Sequence, residues 1–140
     1  MIRFRSYAAS YAICGLIFLI LDGAWLTLMS ERLYRAELGD LLAPQPRLLP
    51  AVMFYLIYLA GVVAFAIAPA LELRSAHSAL LRGAAFGFVA YATYDLTNQA
   101  TLATWSTKIT VLDLLWGSTV TALSAAGAAI VMLLFRRDAP

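Results

Sequence analysis

The sequence predicts an all-α fold: an integral membrane bundle of four transmembrane helices with a short amphipathic segment after helix one. Three observations lead there. Of 140 residues, 63% are hydrophobic and only 13% charged, about half the charge that a soluble domain uses to cover its surface. The apolar residues gather into four runs, each close to the roughly 20 residues that a helix needs to cross a bilayer. The basic residues sit in short patches at the ends of those runs, where membrane proteins place them.

The first run covers residues 7–29, behind a basic N-terminus that carries Arg3 and Arg5. It is too long for a secretory signal, and no small-x-small site follows it, so it reads as an uncleaved span. The second covers 51–71 and is opened by Pro50, a residue suited to a first helical turn. The third covers 80–102 and the fourth 109–135. With no water in the bilayer core, each run must satisfy its own backbone hydrogen bonds, which helices do. Residues 1–140 make a single membrane domain.

The links differ in kind. Residues 30–49 are long and charged. Their start, from Glu31 to Leu38, has the pattern of an amphipathic helix on the membrane surface, with Gly39 as its stop and Pro44, Pro46 and Pro50 barring any continuation. The link at 72–77 is short. The link at 103–108 is a tight turn and predicts an antiparallel hairpin of helices three and four. Arg3, Arg5, Arg74, Arg82, Arg136 and Arg137 mark one side and Arg32, Arg35, Arg47 and Lys108 the other. The excess places both termini in the cytoplasm.

Several chemistries drop out. A net charge of +2 with scattered basic residues predicts no nucleic-acid partner, and Cys14 is the only cysteine, so no intrachain disulfide forms. No His-rich metal set, phosphate loop or usable triad histidine is present, so no metal or other cofactor is expected. Membrane lipids are the expected surroundings. Gly83 and Gly87 on helix three, and Gly117, Thr121, Ala125 and Ala129 on helix four, form small-residue stripes that let helices approach closely. The stripes serve either the bundle itself or a homo-oligomer face.

The chemistry is carried by acids inside the spans. Asp22, Asp95 and Asp113 have no Lys, Arg or His near the middle of any span to pair with. An Asp at a helix centre costs about 2.5–3.5 kcal/mol to insert. Hydrogen bonds, water, a bound cation or protonation must offset that. At helical rise the three lie about 8–12 Å from the helix ends that meet the first and third links, so they share one depth. Tyr55 and Tyr58 of helix two fall at a similar depth. Tyr91, Asp95 and Asn98 share a helix-three stripe, with Tyr94 on the adjoining one. Asp113 shares its face with Trp116, and Asp22 with Trp25. The pattern Leu-Asp-x-x-Trp occurs twice, at 21–25 and 112–116. That is either a faint inverted repeat of the kind transporters contain or coincidence.

The segment from Phe86 to Asn98, with Tyr94-Asp95-Leu96-Thr97-Asn98 at its end, resembles the hallmark of a family of small bacterial membrane proteins known as domain of unknown function 2177. Asp22-x-x-Trp25, Leu42-Ala43-Pro44, the run Phe54 to Tyr58, and Asp113-x-x-Trp116-Gly117 fit the same family. The resemblance implies a bacterial inner-membrane protein with this helix count. It implies no activity, cofactor or catalytic residue.

The residues therefore predict a site built from Asp22, Trp25, Tyr55, Tyr58, Tyr91, Tyr94, Asp95, Asn98, Asp113 and Trp116. Three uses remain open. The site binds or transports a small or lipid-like solute, with oligomers widening a thin four-helix pathway. Alternatively, paired aspartates act as acid and base on a lipid or isoprenoid substrate. Or the acids only hold the bundle together in an assembly factor. Trp105 and Tyr34 read instead as members of an interfacial aromatic belt.

Overall fold

The structure, a computed structural model, describes residues 2–137 and the side chains of residues 6–135. The side chains of Arg3, Arg5, Arg136 and Arg137, which weigh in the charge bias, lie outside the described residues. Among the described residues the fold is wholly helical. Its helices are α1 (Ile2–Met29), α2 (Ala36–Leu38), α3 (Leu48–Val62), α4 (Ala68–Glu72), α5 (Ala76–Thr101) and α6 (Thr107–Arg137). Wide π turns at Ser30–Arg35 and Val63–Ile67 join α1 to α2 and α3 to α4. The result is four long rods.

Three stretches are long and apolar enough to cross a membrane: Ser6–Leu41, Leu48–Glu72 and Thr107–Phe135. Helix α5 has 26 residues, about 39 Å at helical rise, against a hydrocarbon core of about 30 Å. Its hydropathy is lower because it carries His77, Arg82, Asp95, Asn98 and Gln99.

The first rod does not break where its charged residues begin. Past Met29 the backbone widens into the π turn and continues to Gly39, whose φ of +49° ends it. Left-handed backbone of that kind suits glycine. The segment is amphipathic: Leu33 is buried, while Glu31, Arg32 and Arg35 are exposed. It is thus an extension of helix one rather than a separate surface helix. The second rod begins at Leu48, so Pro50 falls within its first turn. Its π turn lies just before Pro69, which has no N–H to donate and whose ring crowds the carbonyl four residues back.

Two caps set the short link before α5. Ser75 N–H donates to the Ala70 carbonyl at 3.0 Å and Arg74 N–H to the Leu71 carbonyl at 3.4 Å, the paired bonds of a Schellman ending. Arg74 occupies its left-handed position at φ +51°. The Ser75 hydroxyl then caps α5 by accepting the Ser78 N–H at 3.1 Å.

The small-residue stripes are spent inside the chain. Helices α5 and α6 form the most extensive contact in the molecule. A Cβ on Gly83 would lie 2.8 Å from the Thr121 carbonyl oxygen, and one on Gly87 would meet the Gly117 carbonyl oxygen. Phe18, Cys14, Val62, Ile67, Val120 and Ala125 fill a dry core between the rods. At the end near the first and third links, Glu37 accepts from the Ser106 hydroxyl at 2.7 Å and from Lys108 Nζ at 3.0 Å. This contact places those two links on the same side.

Candidate functional site

Helices α1 and α6 run antiparallel, as their contacts show. Tyr34 meets Asp113, Trp25 meets Trp116, and Ile17 lies against Gly127, so one number falls as the other rises. The two Asp-x-x-Trp segments therefore face each other. Trp25 and Trp116 stack with ring centroids 4.5 Å apart and planes 8° from parallel.

Each indole N–H reaches toward the acid of the opposite helix. Trp116 Nε1 donates to Asp22 Oδ1 at 3.1 Å. Trp25 Nε1 donates to the Tyr34 hydroxyl at 2.9 Å, and that hydroxyl donates to Asp113 Oδ1 at 2.5 Å. Helix α3 adds the Tyr55 hydroxyl, which donates to Asp22 Oδ2 at 2.6 Å. One turn further on, Tyr58 bonds the Thr121 hydroxyl at 2.6 Å, and Thr121 donates to the Gly117 carbonyl at 2.5 Å. Asp22 thus has both oxygens engaged. Asp113 has one, and no donor among the described residues bonds its Oδ2.

These groups wall a cavity of about 580 Å³, lined by Asp22, Trp25, Tyr34, Tyr55, Tyr58, Tyr91, Tyr94, Asp113 and Trp116 with Leu26, Phe54, Ala90 and Thr93. Pockets of a few hundred Å³ with apolar walls and a few placed polar groups are the usual form of a small-ligand site. Both carboxylates are buried. Neither forms an ion pair among the described residues, whose salt bridges are Arg35–Glu31 and Lys108–Glu37. Donors to the acids are neutral hydroxyl and indole groups, so no cationic side chain among the described residues compensates the two carboxyl groups. No group of three His, Cys, Asp or Glu is placed to hold a metal ion among the described residues.

The family described as predicted membrane protein (DUF2177) matches residues 7–130. The chain belongs to that family. No curated protein and no solved structure matches it.

Eight of the ten residues singled out in this DUF2177 sequence line the cavity; Asp95 and Asn98 do not. Asp95 is fully buried elsewhere along α5, without a hydrogen-bond partner. On α5 the cavity takes Ala90, Thr93, Tyr94 and the Tyr91 ring. Asp95 shares the stripe of Tyr91 but lies one turn further along the helix. Asn98 shares the Asp95 stripe and is half-buried.

Tyr34 is the residue that sequence reasoning missed. It is a wall of the cavity, bonded to both Trp25 and Asp113. Its only signal was a place nine residues beyond Trp25, which counts only if helix one runs on past Glu31. Trp105 lies apart from the cavity, edge-on to Tyr94 at 5.8 Å, with its N–H donated to the Thr110 hydroxyl at 3.0 Å.

Proposed function

We propose that this chain binds a small, lipid-like solute bearing a cationic head group in the cavity between α1, α3, α5 and α6. One observation carries the reading: two buried carboxylates, Asp22 and Asp113, wall an aromatic cavity without a cationic partner among the described residues. A cationic head supplies the missing charge and finds π faces at Trp25, Trp116 and Tyr91, contacts worth about 2 kcal/mol when desolvated. Leu26 and Phe54, both exposed at the wall, offer an apolar path for a chain toward lipid.

In this reading α5 is the fourth span, and the protein sits in a bacterial inner membrane among its lipids with both termini cytoplasmic. The cavity then opens toward the far side, next to the first and third links. Transport, as opposed to binding, requires a homo-oligomer, because four helices enclose only a thin pathway. Nucleic acid is no partner.

Lipid and metabolite mass spectrometry on the purified protein tests this. A cationic amphiphile should co-purify with the wild type and be depleted at least about tenfold, the equivalent of 1.4 kcal/mol, from Asp113→Asn and Asp22→Asn proteins of equal folded yield. Equal retention of all solutes by the three proteins rules the reading out. A second reading, acid–base catalysis, draws on the unequal settings of the two acids, with two donors on Asp22 and one on Asp113. Chemical conversion of the retained solute on incubation would distinguish it from binding.

A further inference from the structure

Asp95 lies outside the cavity, fully buried on α5. Neither of its carboxyl oxygens has a hydrogen-bond partner, and the same holds for Gln99 Oε1 one turn further along. Residues four apart on a helix are neighbours on one face. Two nearby donors point elsewhere: Gln99 Nε2 gives one of its two hydrogens to the Thr107 hydroxyl at 2.9 Å, and Trp105 Nε1 gives its hydrogen to the Thr110 hydroxyl at 3.0 Å. Of the basic residues at this end, Lys108 is held by Glu37 and Arg35 by Glu31, and Arg32 and Arg47 are exposed. The titratable groups facing Asp95 are Asp113 from α6 and Tyr94 from its own helix. The π turn Val63–Ile67 and α4 also pack on α5. They contribute no titratable side chain except Glu72, which is exposed at the far end.

Three acceptor oxygens without a donor need an occupant. A hard divalent cation takes six or more oxygen ligands. Three side-chain oxygens fall short of that, and the surrounding carbonyls belong to helical hydrogen bonds. A bare carboxylate without donors is much more costly to bury than a neutral acid. A single proton answers the geometry: it neutralises Asp95 and gives the stripe a donor, with Gln99 Oε1 available as acceptor. We infer that Asp95 is a proton-holding site, a neutral carboxylic acid sealed between α5 and α6. The inference does not rest on the ligand proposed for the cavity. The site lies on the helix pair that also carries Tyr91, Tyr94 and Asp113 of the cavity wall.

Infrared spectroscopy of the purified protein at neutral pH tests it, with and without ¹³C-labelled aspartate. The wild type should show the carbonyl stretch of a protonated carboxylic acid, shifted by the label. The band should be absent from Asp95→Asn and retained in the Asp22→Asn/Asp113→Asn double variant, whose remaining buried aspartate among the described residues is Asp95. If Asp95→Asn instead removes carboxylate stretches, the group is charged, held by water or a cation, and the inference is overturned. An acid band that persists in Asp95→Asn overturns it as well. Should Asp95→Asn fail to accumulate, the band in the double variant decides by its presence or absence.

Discussion

The hydroxyl of Tyr34 lies between Trp25 and Asp113, accepting from the indole at 2.9 Å and donating to the carboxylate at 2.5 Å. It joins three parts of the chain: the body of α1, its extension beyond the π turn, and α6. Hydrogen bonds to a charged group contribute about 1.5–3 kcal/mol, and an orphaned buried acceptor costs about 1–3 kcal/mol. Tyr34→Phe should therefore lower unfolding stability in detergent by about 1–3 kcal/mol. Combined with Asp113→Asn the losses should not add, leaving a coupling of at least about 0.5 kcal/mol. Full additivity in chemical or thermal unfolding would show that the bond contributes nothing to the fold.

The glycines of α5 make a second test. A methyl group on Gly87 has to displace the backbone of α6, and one on Gly83 meets Thr121 and Ala125. Overpacking of this kind costs about 1–3 kcal/mol. At Gly23 on α1 an added methyl group would have nothing within 4 Å, so Gly23→Ala should be neutral or gain up to about 1 kcal/mol from helix propensity. Unfolding midpoints should thus order Gly23→Ala at or above wild type and Gly87→Ala below it. The reverse order would mean that α5 and α6 do not approach as closely as their stripes imply.

Much of this was legible in the sequence, for identifiable reasons. Long apolar runs locate the helices because lipid leaves them no other way to satisfy their backbones. Gly83, Gly87, Gly117 and Thr121 announced the α5–α6 contact because small side chains at fourfold spacing permit it. Asp22, Trp25, Asp113 and Trp116 stood out because an acid inside a span needs compensation. What periodicity does not record is how far along a stripe the cavity reaches. It groups Tyr91 with Asp95 correctly, yet cannot say that the cavity takes the Tyr91 ring and leaves Asp95, one turn further on, outside. Nor does it reveal the π turn at Ser30–Arg35, which carries the helix through a charged stretch and brings Tyr34 inward.

Arg74 offers a check on the backbone itself. It holds the left-handed position of a Schellman ending at φ +51°, a conformation that costs a side-chain-bearing residue roughly 1–2 kcal/mol. Arg74→Gly should raise unfolding stability by up to about 1 kcal/mol once glycine's greater freedom in the unfolded chain is counted. A loss of stability would show that the Arg74 side chain contributes more than its backbone costs.

The charge bias makes a topological prediction. Arg74 and Arg82, with the terminal arginines, outnumber Arg32, Arg35, Arg47 and Lys108 on the other side. A cytoplasm-active fluorescent protein fused to the C-terminus should fluoresce, and alkaline phosphatase at the same point should be inactive. The opposite pair of results would invert the protein and turn the mouth of the cavity toward the cytoplasm.

The stacked indoles should separate structural from binding effects, because their N–H groups have different targets. Trp116 donates directly to the carboxylate of Asp22, whereas Trp25 donates to the neutral hydroxyl of Tyr34. Phenylalanine keeps an aromatic ring at either position, smaller than the indole, and removes the N–H donor. Trp116→Phe leaves Asp22 with Tyr55 as its single donor, so it should cost about 1.5–3 kcal/mol of stability, the range for bonds to charged groups. Trp25→Phe leaves the Tyr34–Asp113 bond in place and should cost about 0.5–1.5 kcal/mol. Binding should not follow that order. Both substitutions replace the best π face with a poorer one at the same cavity wall, so both should weaken retention of a cationic amphiphile by a similar factor. Unfolding midpoints and co-purified solute, measured on the same two preparations, give the comparison. If solute loss tracks stability loss and not the shared ring change, the indoles serve the fold and the cavity binds its ligand through other groups.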